Sequence, residues 1–136
     1  MMRRIKRDRY GRRRGVAAVE FAVCLPVIVL LVFGSIEASS FIFLRQSLSV
    51  AAYEGIREAV RSGSTTAEVT ERAETILESR FVEDFEIAFP NGSVENAARG
   101  QEIVIEVSAP TVTNSPLAGS FVTNRTLTAR VVMVKE

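Results

Sequence analysis

Two hydrophobic patterns follow one another at the start of this chain. From Val16 to Ile36, 21 residues pass with Glu20 as the only charge. About 20 apolar residues in a helix cross a bilayer, so a membrane-spanning helix is predicted here. Pro26 lies inside it. Proline removes one backbone hydrogen bond, but membrane helices tolerate that, so a bend is expected rather than a stop. Glu37 and Arg45 then mark the exit from the apolar run. Beyond them Leu44, Leu48, Ala52, Ile56 and Val60 recur every fourth residue, while Arg45, Glu54, Arg57, Glu58 and Arg61 fall elsewhere. That is an amphipathic helix with one buried stripe. No proline interrupts Phe41 to Arg61, and Gly55 is the only glycine there. The simplest reading is one helix from about Val16 to about Arg61.

Ser62-Gly63-Ser64 ends that helix. Thr65 followed three residues later by Glu68 is a capping box and predicts a second helix over 66–80. Its apolar face is Val69, Ala73, Ile76 and Leu77, and its outer face is Glu68, Glu71, Glu74 and Glu78. From Phe81 the period shortens to two. Phe85, Ile87 and Phe89 alternate with Glu86 and Ala88, predicting a strand over 83–89 before the turn Pro90-Asn91-Gly92. Residues 93–100 read as loop. Ile103, Ile105 and Val107 alternate with Glu102 and Glu106 in a strand over 101–108. Ala109 to Asn124 is a long connection. Thr126 to Lys135 closes the chain as a strand with Leu127, Ala129, Val131 and Met133 on one face. Glu102 and Glu106 are expected to face Arg125 and Arg130 across an antiparallel pair. Helices followed by a three-stranded antiparallel sheet make an α+β fold, with the Leu44–Val60 stripe packed on one sheet face.

Charge adds an asymmetry that the net value of +1 conceals. Residues 1–15 hold eight Lys/Arg against one Asp, a net +7, and the other 121 residues carry a net −6. A basic arm can be a solvated, disordered tail, and residues 1–14 are expected to be disordered. It can neutralise phosphates of a nucleic acid. Ahead of an apolar span, it fits best as a flank retained on the cytoplasmic side of the membrane, and no nucleic-acid partner is expected.

Candidate chemistry narrows the picture further. The chain has no histidine, which removes Ser-His and Cys-His catalysis and the commonest zinc ligand. The single cysteine, Cys24, lies inside the apolar run and is a small apolar side chain in lipid or at a helix interface. Gly11 and Gly15 sit in the basic arm rather than after a strand, so no phosphate-binding loop occurs. The carboxylates fall on exposed faces. Asn91-Gly92-Ser93 and Asn124-Arg125-Thr126 match the glycosylation acceptor pattern, which matters only in a eukaryotic secretory setting. Neither an enzyme nor a metal or cofactor site is expected.

Glu20 is the residue that an ordinary anchor does not explain. A charge near the bilayer core costs about 2.5–3.5 kcal/mol or more and marks a functional candidate. Three readings compete for residues 1–40. A plain signal anchor accounts for the basic flank and the apolar run but not for Glu20. A cleaved secretory signal peptide would be cut near Ala38-Ser39-Ser40, after an apolar region longer than such peptides carry. The third reading rests on Arg14-Gly15-Val16-Ala17-Ala18-Val19-Glu20-Phe21-Ala22, followed by Leu25-Pro26. This resembles the cleavage site of type IV prepilins, and more closely the TadE-like pseudopilins of tight-adherence (Tad/Flp) pili. Ala51-Ala52-Tyr53-Glu54-Gly55-Ile56-Arg57-Glu58-Ala59 is similar to a second patch of that family, Ala-x-x-Glu-Gly-x-Arg-x-Ala. The resemblance covers 12–60. Beyond it only the element order and a closing strand agree.

The resemblance implies a role for each matched residue. A membrane prepilin peptidase cuts after Gly15, where glycine leaves the backbone unhindered, and Val16 becomes the new N-terminus. Arg12, Arg13 and Arg14 leave with the basic leader. Glu20 becomes the fifth residue of the mature chain, a carboxylate that a neighbouring subunit's new α-amino group can pair. An unpaired buried charge is costly and a paired one tolerable, so this pairing favours assembly in register. Phe21 packs between helices and Pro26 loosens the helix for extraction from the bilayer. Glu54, Gly55 and Arg57 form either helix-surface ion pairs with a close-packing glycine or a contact patch for another pseudopilin. The implied organisation is a leader over 1–15, a transmembrane helix over 16–37 and an extracytoplasmic pilin-like domain over 38–136. The implied partners are the cytoplasmic membrane, the peptidase and other pilins or pseudopilins. The competing function is a single-pass anchor whose external domain binds another envelope partner.

Overall fold

The computed structural model describes residues 10–117 and 124–136. The first nine residues of the basic arm and residues 118–123 of the long connection lie outside the described residues. The elements are helix α1 (Tyr10–Ala59), helix α2 (Thr66–Ser79), strand β1 (Glu86–Ala88), a 3₁₀ turn (Val94–Asn96), strand β2 (Glu102–Pro110) and strand β3 (Thr126–Val134). The protein is α+β, as the period change at Phe81 predicts. Internal contacts divide the chain into two units, Met1–Ser35 and Ile36–Glu136.

The first unit contributes the opening half of α1. The helix runs through Pro26 without a break. It also starts earlier than expected. Residues 10–14, assigned to a disordered arm on charge alone, are helical. Arginine is a good helix former, and extending an existing helix by a turn avoids the cost of nucleation. From Val16 to Ile36 every large apolar side chain is exposed, and none of the described residues covers this surface.

The second unit holds the core. Leu44, Leu48, Ala51, Ala52, Ile56 and Ala59 of α1 are buried, with Val69, Ala73 and Leu77 of α2 and Ile103, Ile105, Val107 and Ala109 of β2. The four-residue stripe therefore packs as predicted, except that Val60 sits past the last helical residue and is only half-buried. The alternating set Phe85, Ile87 and Phe89 and the β3 set Leu127, Ala129, Val131 and Met133 pack against the same core. Fully burying one Leu or Ile contributes about 1.5–3 kcal/mol, so the residues at this helix–sheet contact supply most of what holds the unit together.

The sheet is antiparallel in the order β1-β2-β3. Register places Glu106 opposite Arg130, with the carboxylate and guanidinium 3.4 Å apart. The other expected pair fails: Glu102 lies opposite Val134. Arg125 precedes β3 and exchanges hydrogen bonds with Thr111, whose N–H donates to the Arg125 carbonyl at 2.8 Å. The first strand is shorter than the 83–89 prediction. Asp84 has φ 53°, and left-handed backbone cannot continue a ladder, so pairing begins at Glu86.

Helix ends explain the joints. The capping box forms: the Thr65 N–H donates to Glu68 Oε2 at 2.9 Å, and the Glu68 N–H donates to Thr65 Oγ1 at 3.3 Å. At the other end of α2, the Phe81 N–H donates to the Glu78 carbonyl and the Val82 N–H to the Leu77 carbonyl, each at 3.0 Å. That is a Schellman closure, with Val82 packing beside Leu77. Its left-handed position normally holds glycine, yet Phe81 occupies it with φ 56°. A side chain in that conformation costs roughly 1–2 kcal/mol.

Candidate functional site

The residues singled out by sequence divide between the two units. Gly15, Val16, Glu20, Phe21 and Pro26 all lie on the exposed opening of α1. A Cβ built at Gly15 would meet no atom within 4 Å, so the backbone is open on the side where a side chain would stand. Val16, Glu20 and Cys24 are spaced i, i+4 and share one helix face. Glu20 thus presents a carboxylate from an otherwise apolar surface, with Phe21 beside it at 59% exposure.

Charge along this helix also bears on the Gly15–Val16 bond. The first turn holds no acidic residue and Arg12 to Arg14 follow immediately. Cations at a helix N-terminus oppose the macrodipole, whereas carboxylates there stabilise it. A helix beginning at Val16 loses the three arginines and brings Glu20 close to its start.

The second patch sits in the core unit, and its three residues have different surroundings. Gly55 is buried where α1 meets α2 and β2. An added Cβ would stand 3.0 Å from Ile105 Cδ1, 3.5 Å from Ala73 Cβ and 3.6 Å from the Val69 carbonyl oxygen. The glycine is therefore a close-packing point. Glu54 Oε2 lies 3.6 Å from Arg72 Nη2 of α2. Arg57 is exposed, and with Glu54, Glu58, Arg61 and Arg72 it lines a hollow of about 410 Å³. Three cations and two carboxylates around one hollow form a charged surface suited to a polar protein contact. Among the described residues no group of three or more His, Cys, Asp or Glu could hold a metal ion.

One buried polar group escaped the sequence reading. Glu37, read as the solvent-facing end of the apolar run, is only 2% exposed. Its Oε2 accepts a hydrogen bond from Ser115 Oγ at 2.6 Å, while Oε1 has no partner among the described residues. The stretch that reaches it is pinned by Asn114, whose Oδ1 accepts from the Glu83 N–H and whose Nδ2 donates to the carbonyls of Glu83 and Pro110. A serine 78 positions away gives no periodic signal by which sequence could find it.

Comparison with known families now bears on these positions. Residues 15–57 match the model of the family described as TadE-like protein. That segment is similar to the TadE-like family. The match opens at Gly15 and closes at Arg57, so it takes in the α1 positions and the Glu54-Gly55-x-Arg57 patch together. No curated protein and no solved structure matches the chain. The helix span Gly15–Ala59, which contains the matched segment, is long and apolar enough to cross a membrane.

Proposed function

We propose that this chain is a minor pseudopilin that supports assembly of a Tad/Flp-type adhesive pilus and is processed by a prepilin peptidase after Gly15. The observation that carries the reading is the TadE-like match over 15–57, which begins at the glycine of the proposed cut. The geometry supports it in two ways. The apolar opening of α1 is left uncovered by every described residue, as a surface meant for lipid or for neighbouring helices must be. Glu20 sits on that surface on the same face as Val16, where a neighbour's α-amino group would reach it as helices stack. Arg57 and the ion pair of Glu54 add a polar surface for lateral contact with a related subunit.

In this reading the basic leader stays in the cytoplasm, α1 crosses the cytoplasmic membrane, and the helix–sheet unit lies outside it. The test is the N-terminus of the membrane-extracted protein. Co-expression with a prepilin peptidase should yield a chain starting at Val16 by intact mass. A chain that retains Met1, or one that starts near Ser39, would sink the reading. Retention of Met1 would favour instead a single-pass anchor serving another envelope partner.

A further inference from the structure

The corner after α2 raises a question that pilus assembly does not answer. Phe81 is 91% exposed and occupies the left-handed position of the helix closure where glycine is usual. Its N–H closes the helix on the Glu78 carbonyl, which glycine would do without strain, and its side chain stands almost wholly in the open. Non-glycine residues held in such backbone cluster at functional sites. Phe81 does not stand alone: with Phe43, Leu44, Arg80, Val82 and Asn114 it lines a hollow of about 230 Å³, and Ile42 and Phe43 on α1 are 68% and 51% exposed.

We propose that Ile42, Phe43 and Phe81 form a membrane-seating face that rests in the interfacial layer of the bilayer that α1 crosses; the inference rests on the membrane-spanning reading above. Residue counting supplies the first argument. Val16 to Ile36 spans ~31 Å at ~1.5 Å per residue, matching a hydrocarbon core of ~30 Å. Val16 to Leu44, ahead of Arg45, spans ~43 Å, matching the bilayer with its headgroup layers. Residues 37–44 therefore fall at headgroup depth. Glu37 supplies the second argument. It is the only charge within 37–44, and it is buried under Ser115 rather than presented outward. The third is chemistry. Phenylalanine and aliphatic side chains carried on one face bury at the boundary between headgroups and acyl chains, and fixed charges here are mixed, with Arg45 and Arg80 against Glu83 and Asp84. The occupant is thus the apolar edge of the lipid layer rather than a specifically anionic headgroup, and seating is insensitive to salt.

The chain contains no tryptophan, so one indole can report on one site. The full chain carrying Phe81→Trp is reconstituted in phosphatidylcholine vesicles with acyl chains brominated near the glycerol. Emission should fall by roughly half or more, because bromine quenches over contact distances at the depth that interfacial aromatics occupy. The same chain carrying Asn96→Trp, at the end of the unit where Glu95 meets the start of α2, should be unquenched. Raising salt should leave both unchanged. Phe43→Trp, on regular helix, provides a second reporter free of any disturbance at the left-handed corner, and it should be quenched like position 81. Its quenching should weaken when Phe81→Gly is added, a change the backbone accepts. A chain that does not float with the vesicles would overturn the membrane-spanning reading and the seating with it. A chain that floats while positions 81 and 96 quench alike would overturn the seating alone. So would protection of position 81 from acrylamide that grows with protein density without bromine quenching, since that is the mark of a second copy.

Discussion

Helix α1 carries two apolar surfaces that differ in what covers them. Between Val16 and Ile36 the large side chains are all exposed, and in the Leu44–Ala59 stretch the stripe residues are at most 2% exposed. Composition alone would rank the first as the stronger core. It is instead an apolar surface that no described residue covers, while the second has α2 and β2 laid over it. A continuous apolar run marks a helix that meets lipid or other chains all round, and a four-residue stripe marks a helix that meets its own domain on one side. It follows that changes in the opening half should alter processing and assembly without altering the fold, and changes in the second half should do the reverse.

The largest contrast is at the start. Gly15→Ala should block processing and leave a chain about 15 residues heavier, read as a larger band, with no change in thermal unfolding because nothing packs at that position. Normal cleavage of this variant would argue against the peptidase. Glu20→Ala should still be cleaved and fold normally, yet assemble poorly. Normal piliation in that variant would remove the support for pairing between Glu20 and a neighbour's N-terminus.

In the second half the expected losses are of stability. Leu48→Ala removes a wholly buried side chain at the centre of the stripe, and a cavity of that kind costs about 2–5 kcal/mol. Gly55 gives a finer test. Its Cβ position lies 3.0 Å from the end of the flexible Ile105 side chain, so Gly55→Ala should be close to neutral, as helix propensity gained offsets crowding. Gly55→Leu cannot be accommodated by one rotamer shift and should cost about 1–3 kcal/mol by overpacking. Denaturant unfolding of the three variants measures this order. If Gly55→Leu were as stable as the parent chain but failed to assemble, the glycine would belong to an intermolecular surface instead.

These same residues show how far sequence reaches. The long helix, the capping box at Thr65, the turn at Gly92 and the alternating strand faces are local patterns, and each was readable because backbone geometry imposes its period on the apolar positions. Gly15 and Glu20 were readable as candidates because their spacing and a charge out of place can be seen without coordinates. Cross-chain pairings were not. Glu106 met Arg130, but Glu102 missed Arg125, because register depends on where the 109–124 connection lets β3 begin. Ser115 over Glu37, and Phe81 beside Phe43, join residues 78 and 38 positions apart. No periodicity carries such information. It lies in how α2 and residues 111–117 fold back beside α1.

The smallest expected effect concerns the charge that ties the 3₁₀ turn to α2. Glu95 Oε2 accepts hydrogen bonds from the Thr66 hydroxyl and from the Thr66 N–H at 2.9 Å. Its carboxyl is held below the ordinary 4.5, first by the Thr66 hydroxyl, then by its own and the Thr66 backbone N–H groups, with Lys135 adding a minor attraction. A lowered value in the folded state means that the ionised form binds better there than in the unfolded chain. The contribution is therefore complete above pH 4.5 and is lost as pH falls through the folded value. Glu95→Gln should lower the neutral-pH midpoint slightly and flatten that part of the acid-unfolding profile to the same small extent, since the group is solvent-exposed. Equal acid sensitivity in the variant would show that other carboxylates govern the limb. Because Thr66 and Glu95 both lie in the core unit, Glu95→Gln should leave processing at Gly15 unchanged, and altered processing would show that the core unit bears on the cut.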